Sequence, residues 1–211
     1  MPIQLEDERQ PGLPVVKRTA LGQKFYGAVV RIDQRNRLKA DDRGVLVPIL
    51  KASGKPRQEL VITCLTLPGS TAPVGLRDDE HTGEEGELVR LILKGKAFGE
   101  WIEAKATLGR PVNVGDIVTQ VTDCAQAYDA QGQPTGGEIT DQETLNNLPR
   151  GRSVGIYGPI TVREPKPDSE WVGKAEDAYY KLREAIPAEP EVVPGDQGPW
   201  EPPPDDDDIP F

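Results

Sequence analysis

From Pro187 to Phe211 the chain holds eight prolines and eight acidic residues in 25 positions, and no lysine or arginine. Proline removes a backbone donor and fixes φ, and unopposed like charges repel, so such a stretch sustains neither a helix nor a sheet ladder. It reads as an extended, disordered tail, and any packed fold is confined to the residues before it. Even there the chain is punctuated heavily. The sequence carries 22 glycines and 21 prolines in 211 residues, which is high for a packed domain.

The net charge of −10 is distributed unevenly. Glu164–Phe211 holds 14 acidic and 4 basic residues, whereas Met1–Arg163 holds 21 of each. Val15–Arg57 holds 11 basic residues against Asp33, Asp41 and Asp42. A basic segment and an acidic tail on one chain point to a polyanionic ligand and a separate cationic partner. The plainer reading of the basic stretch is a solvated surface whose signs happen to segregate.

Several classes are excluded early. No apolar run approaches the roughly 18 residues of a membrane span. Met1–Gln10 carries Glu6, Asp7 and Glu8 and has no apolar core of a signal peptide. Cys64 and Cys124 stand far apart without a CxxC, and His81 is the one histidine, so the usual zinc spacings cannot be assembled. A reduced cytoplasm is the expected location, with no metal and no cofactor.

Strand signals begin at Lys24–Asp33 and continue through Gly44–Leu50, where Pro48 marks an edge strand or bend. Along Glu59–Leu67, Leu60, Ile62 and Cys64 point one way and Val61, Thr63 and Leu65 the other. Pro68–Gly86 reads as a polar loop in which His81 is solvated, and Glu87–Phe98 as a strand. The period then changes. Glu100–Leu108 reads as a helix with Trp101, Ala104, Lys105 and Leu108 on one stripe, apolar but for Lys105, and closed by Gly109 and Pro111. Val114–Thr122 is a strand, Asp129–Leu148 a loop, and Ser153–Val162 the last strand. Gly173–Ile186 is amphipathic, with Ala175, Ala178, Tyr179, Leu182 and Ile186 on one side.

The order suggests a mostly β chain: a small Greek-key barrel of the OB type with one helix between strands and a further C-terminal helix. A small α+β sandwich is the alternative. The expected divisions are a disordered arm at 1–20, an OB-like nucleic-acid-binding domain at 21–165, a helical segment at 166–186 and the tail at 187–211.

The last seven residues are Asp205, Asp206, Asp207, Asp208, Ile209, Pro210 and Phe211. Here the chain resembles bacterial and phage single-stranded-DNA-binding proteins, whose tails end in an acidic tip closed by Ile-Pro-Phe. The resemblance implies a protein that coats exposed strands in DNA replication, repair and recombination and recruits partner proteins through the tip. The body's divergence suggests a phage origin. The physical logic of the tip stands beside the name. A partner can seat the Phe211 ring in an apolar pocket and hold its carboxylate with a cation, while the aspartates attract a basic rim. A solubilising tail would explain the aspartates but not the aromatic.

Sequence-tolerant binding of single strands needs cations for phosphates and aromatic faces for bases. Lys24, Arg31, Arg35, Arg37, Lys39 and Arg43 supply the first, extended by Lys94, Lys96, Arg150 and Arg152. Tyr26 is the preferred outward ring of the Phe25–Tyr26 pair, on a face shared with Ala28, Val30 and Ile32. Phe98, Tyr128 and Tyr157 complete the stacking candidates, although each alone fits a core position at least as well. Trp101 is expected in the core, and Trp171 and Trp200 away from DNA. No Ser/His/Asp or Cys/His set assembles, and Gly136-Gly137 lacks the Lys-Ser/Thr of a phosphate loop, so no catalysis is expected. The expected partners are single-stranded DNA and replication or repair proteins, not a membrane, with self-association left open. The rival reading is an adaptor domain that binds no DNA and docks on a replication protein through the same tip.

Overall fold

The structure is a computed structural model that describes residues 12–41, 43–51, 53–76, 79–129, 133–149 and 153–185. In chain order its elements are β1 (Val15–Val16), β2 (Lys24–Asn36), β3 (Leu38–Ala40), β4 (Leu46–Pro48), β5 (Gln58–Thr66), β6 (Pro73–Leu76), β7 (Asp79–Thr82) and β8 (Leu88–Leu93). Then follow helix α1 (Lys96–Leu108), β9 (Ile117–Val121), β10 (Cys124–Tyr128), β11 (Pro134–Ile139), α2 (Gln142–Asn146), β12 (Ser153–Tyr157), β13 (Ile160–Arg163) and α3 (Glu170–Ala185). The protein is mostly β.

The main sheet has eight strands in the order β13-β9-β2-β5-β8-β1-β6-β7. Every neighbouring pair is antiparallel except β1 and β8. Among the described residues its outer strands, β7 and β13, do not pair with each other, so the sheet is open. A second sheet, β11-β10-β12, leaves the main one between β9 and β13, and β3-β4 forms a ribbon that extends β2.

Strand alternation builds the inner core. Leu60, Ile62 and Cys64 of β5 lie on the same side as Val89, Leu91 and Leu93 of β8 and Phe25 and Val29 of β2. Helix α1 closes over that side against β8 and β13, burying Ala97, Trp101 and Ala104. It begins four residues before the expected Glu100, since β8 stops at Leu93, and it ends as expected at Gly109 in the left-handed conformation.

β2 changes parity midway. Val29 pairs with Cys64 and Arg31 with Thr63, so Val30 is an extra residue in the ladder. An uninterrupted strand would carry the inward parity of Phe25 and Val29 on to Arg31, Asp33 and Arg35. The bulge turns those three charges outward and directs Ile32 inward. This corrects the expectation that Ile32 shares the face of Tyr26, Ala28 and Val30.

The outer face of β2 has its own cover. Ala175, Ala178, Tyr179 and Leu182 of α3 pack on Ala28, Val30, Leu65 and Ile117. The helix starts three residues before the expected Gly173, and the part of its stripe within the described residues lies where the pattern put it.

Four further differences trace to local chemistry. Residues 12–20, expected in a disordered arm, belong to the fold: β1 fills the space between β8 and β6, and Val16 is buried. Arg18 turns inward, where its Nε donates to Gln120 Oε1 at 2.8 Å and its Nη2 to the Ile92 carbonyl at 3.0 Å, and burial lowers its pKa to about 10. The expected loop at 68–86 contains the β6-β7 hairpin, and the expected loop at 129–148 contains β11 and α2. The last strand is two strands, because the chain passes at Gly158-Pro159 from the second sheet to the first.

Candidate nucleic-acid interface

Beyond Asn36 the chain runs out along β3 and back along β4, forming an arm that spans residues 37–57. Asp41 Oδ1 closes the first turn by accepting from the backbone N–H groups of Arg43 and Val45, each at 2.9 Å. A second turn is closed by the Lys51 N–H donating to the Lys55 carbonyl at 2.8 Å. Lys39, Arg43, Lys51, Lys55 and Arg57 are exposed and Arg37 is half-buried, and among the described residues none of the six has a carboxylate partner.

The base of the arm is different. Glu59 is buried at 7% exposure between two cations, Arg35 Nε at 2.9 Å and Lys94 Nζ at 3.1 Å. Burial alone would raise the Glu59 pKa, but hydrogen bonds from Lys94 and Arg35 outweigh it and hold the carboxyl below its usual range. Arg35 and Lys94 are therefore held in place, as is Arg31, whose guanidinium meets Asp33 at 2.8 Å.

Two residues beyond Lys94 the chain reaches Lys96, and the turn between them rests on Gly95 at φ 54°, ψ −122°. That combination suits glycine and strains any residue with a Cβ. Lys96 Nζ lies 2.7 Å from Glu138 Oε1 and 4.3 Å from the centroid of the Tyr157 ring. The Tyr157 hydroxyl donates to the same Glu138 oxygen at 3.0 Å. Burial and the acceptor Glu138 raise the Tyr157 pKa to about 12, so the hydroxyl remains a donor through neutral pH.

The second sheet presents these groups on one face. Cys124 pairs with Tyr157, Gln126 with Gly155 and Tyr128 with Ser153, so Tyr128, Gly155 and Tyr157 share a side. The Tyr128 ring lies over Gly155, within 3.3 Å of where a Cβ would stand. Glycine there lets one ring lie on the backbone beside the other. Cys124 joins the cluster as a weak donor to the Tyr157 carbonyl, with its thiol pKa raised to about 11 by burial and by Asp123. Among the described residues no group of three His, Cys, Asp or Glu side chains could hold a metal ion. Among the described residues no helix is long and apolar enough to cross a membrane.

The structure thus brings together Arg35 with Lys94, and Lys96 with Tyr157, and sets Tyr128 on the same face as Tyr157. It places the other candidates apart. Lys24 is exposed at the end of β2 away from the arm. Tyr26 is half-buried in the cluster beneath α3. Phe98 packs in the first turn of α1 against the inner core. Trp101 is buried there, as expected, and Trp171 lies beneath Lys174 on α3. His81 is exposed as expected, and its Nε2 lies 2.9 Å from Glu87 Oε1. Arg150, Arg152, Trp200 and Asp205–Phe211 lie outside the described residues. Sequence reasoning missed the two carboxylates, Glu59 and Glu138, that position three of the lysines and arginines. No family model, curated protein or solved structure matches the chain.

Proposed function

We propose that the chain is a single-stranded-DNA-binding protein that coats exposed strands during replication, repair or recombination. It is not an enzyme, and it recruits its protein partners through Asp205–Phe211. It works in the cytoplasm, that of the host if a phage encodes it.

The strand order supports an OB-type reading of the body. β2, β5 and β8 form an antiparallel meander, α1 follows, and β9 and β13 add on the far side of β2, giving the order β13-β9-β2-β5-β8. An OB-fold binds oligonucleotides on its second and third strands and on the loops between its first and second and its fourth and fifth strands. In this reading those loops are the basic arm and the β10-β11-β12 sheet.

The observation that carries the proposal is the junction Lys94-Gly95-Lys96. On one side of Gly95 it contacts Glu59 at the base of the arm, and on the other it contacts Glu138 and Tyr157. Cations for phosphates and rings for bases are thereby linked along one border, the pairing that sequence-tolerant recognition of single strands requires. Fluorescence anisotropy with an unstructured, labelled oligonucleotide tests the proposal. Binding that weakens linearly in log affinity against log salt is expected. Absence of binding at low salt would leave the adaptor reading, in which the tip alone acts.

A further inference from the structure

A two-stranded ribbon has no second layer to pack against and is marginal unless one face is covered. In the arm, Leu38 pairs with Pro48 and Ala40 with Leu46, so these four side chains share a face, and the Leu50–Pro56 bridge continues the row. That face carries no charge. Leu38 is 46% exposed, Leu46 41% and Leu50 54%, and Val45 at the turn is 56% exposed. Lys39 is on the opposite side, and Arg43, Lys51 and Lys55 lie in the turns.

We propose that this apolar face docks a second copy of the chain, at that copy's β6-β7 hairpin. The charges select the partner surface. Residues 37–57 hold six bases and two acids, a balance of +4, so two arms laid face to face repel. Residues 79–87 hold five acids and no lysine or arginine, a balance of −5. Asp79, Glu80, Glu84 and Glu85 are exposed, and Leu76, at 44% exposure, adds an apolar contact beside them. Among the described residues β7 is the outermost strand of the sheet and bonds only to β6, and all four of its residues are exposed. In this proposal each contact joins one arm to one hairpin, head to tail, which leaves a free arm and a free hairpin at the two ends and lets the contact propagate into an array. It goes beyond strand binding and forms without nucleic acid.

Sedimentation velocity on the full chain, with no oligonucleotide present, tests it. The expected mass rises with protein concentration past that of a dimer and falls as salt is raised. The exposed double substitution Leu38→Ser with Leu46→Ser weakens association about tenfold, through lost burial of two half-exposed leucines. Lys51→Glu with Lys55→Glu weakens it, as does Glu84→Lys with Glu85→Lys, and an equal mixture of the two reversed proteins associates again. A chain that stays monomeric at every concentration, a dimer that grows no further, or a mixture that fails to recover overturns the proposal. So does loss of association when Asp205–Asp208 are all replaced by Asn, which would make the tail the occupant. Loss of oligonucleotide binding alone would overturn the strand-binding reading and leave this one standing.

Discussion

The ammonium of Lys96 sits 4.3 Å above the Tyr157 ring while it is 2.7 Å from Glu138, and Glu138 in turn accepts from the Tyr157 hydroxyl. One carboxylate thus occupies both groups through which the site would engage a strand. A phosphate arriving there competes with Glu138. Glu138→Gln removes the negative charge and keeps the shape, so oligonucleotide binding should tighten several-fold at low salt. The slope of log affinity against log salt should steepen by about 0.7, one more phosphate neutralised. Anisotropy titrations over a salt series measure both, and weaker binding by the variant would show that Glu138 orients Lys96 rather than masks it.

The arm's cations, which have no carboxylate partner among the described residues, give the cleanest test of phosphate tracking. Lys39→Ala and Arg43→Ala should each flatten the salt slope by about 0.7 and leave the thermal midpoint unchanged. Arg35→Ala is a different experiment. It takes one of two cations from the buried Glu59, so it should lower stability as well as binding. An unchanged slope in Lys39→Ala and Arg43→Ala would place the phosphate path away from the arm.

The tyrosines divide by their surroundings. Tyr128→Ala and Tyr157→Ala should each cost roughly 1–3 kcal/mol of oligonucleotide binding if the rings stack on bases. Tyr26 packs beneath α3, so Tyr26→Ala should cost about 2 kcal/mol of folding stability, less than a fully buried aromatic, with little direct effect on binding. Denaturant unfolding and anisotropy on the three variants separate the two classes.

The period of apolar residues made much of this fold legible. The alternation along β5, the stripe of α1 and the described part of the α3 stripe lie where the pattern indicated, because each helix meets a core on one face and β5 sends alternate residues into the two cores. The bulge at Val30 left no such mark, since one extra residue changes which face a charge takes without changing composition. β7 reads Asp-Glu-His-Thr and β11 Pro-Thr-Gly-Gly-Glu-Ile, so neither carries an apolar alternation, and both form by pairing with a neighbour. The site's carboxylates were illegible for a related reason. Glu59 meets Arg35 across 24 positions through the β2–β5 register, and Glu138 meets Lys96 across 42 where β11 lies beside the start of α1, separations that only the folded chain closes.

Acid should reach the base of the arm through Glu59. Its folded pKa lies below that of the unfolded chain, about 4.3 for a free glutamate. The carboxylate therefore contributes its full stability above that value, and the contribution is lost as pH falls through the lowered folded pKa. Glu59→Gln should be less stable than the parent at neutral pH, and the difference should shrink on acidification. Urea midpoints taken from pH 7 down to pH 3 measure it, and a difference that is constant with pH would assign the loss to packing rather than charge.

The tip poses anchor against charge. Residues 187–211 carry eight acids and no base, and the arm's cations have no carboxylate partner among the described residues, so the acidic segment is an electrostatic competitor for the surface proposed to hold a strand. Replacing Asp205–Asp208 by Asn should therefore leave oligonucleotide binding intact or tighten it, most clearly at low salt where screening is least. Phe211→Ala keeps all four aspartates and should leave that competition unchanged. Partner recruitment should respond in the opposite order. An aromatic anchor seated in a pocket supplies affinity, whereas surrounding charges mainly raise the association rate. Phe211→Ala should thus abolish capture of a replication partner, while the four-Asn variant should slow capture and make it insensitive to salt. Surface plasmon resonance with the captured partner resolves the two rates. Equal partner binding by Phe211→Ala and the parent would reduce the tip to an acidic solubiliser and remove the support that the resemblance gives to the proposed function.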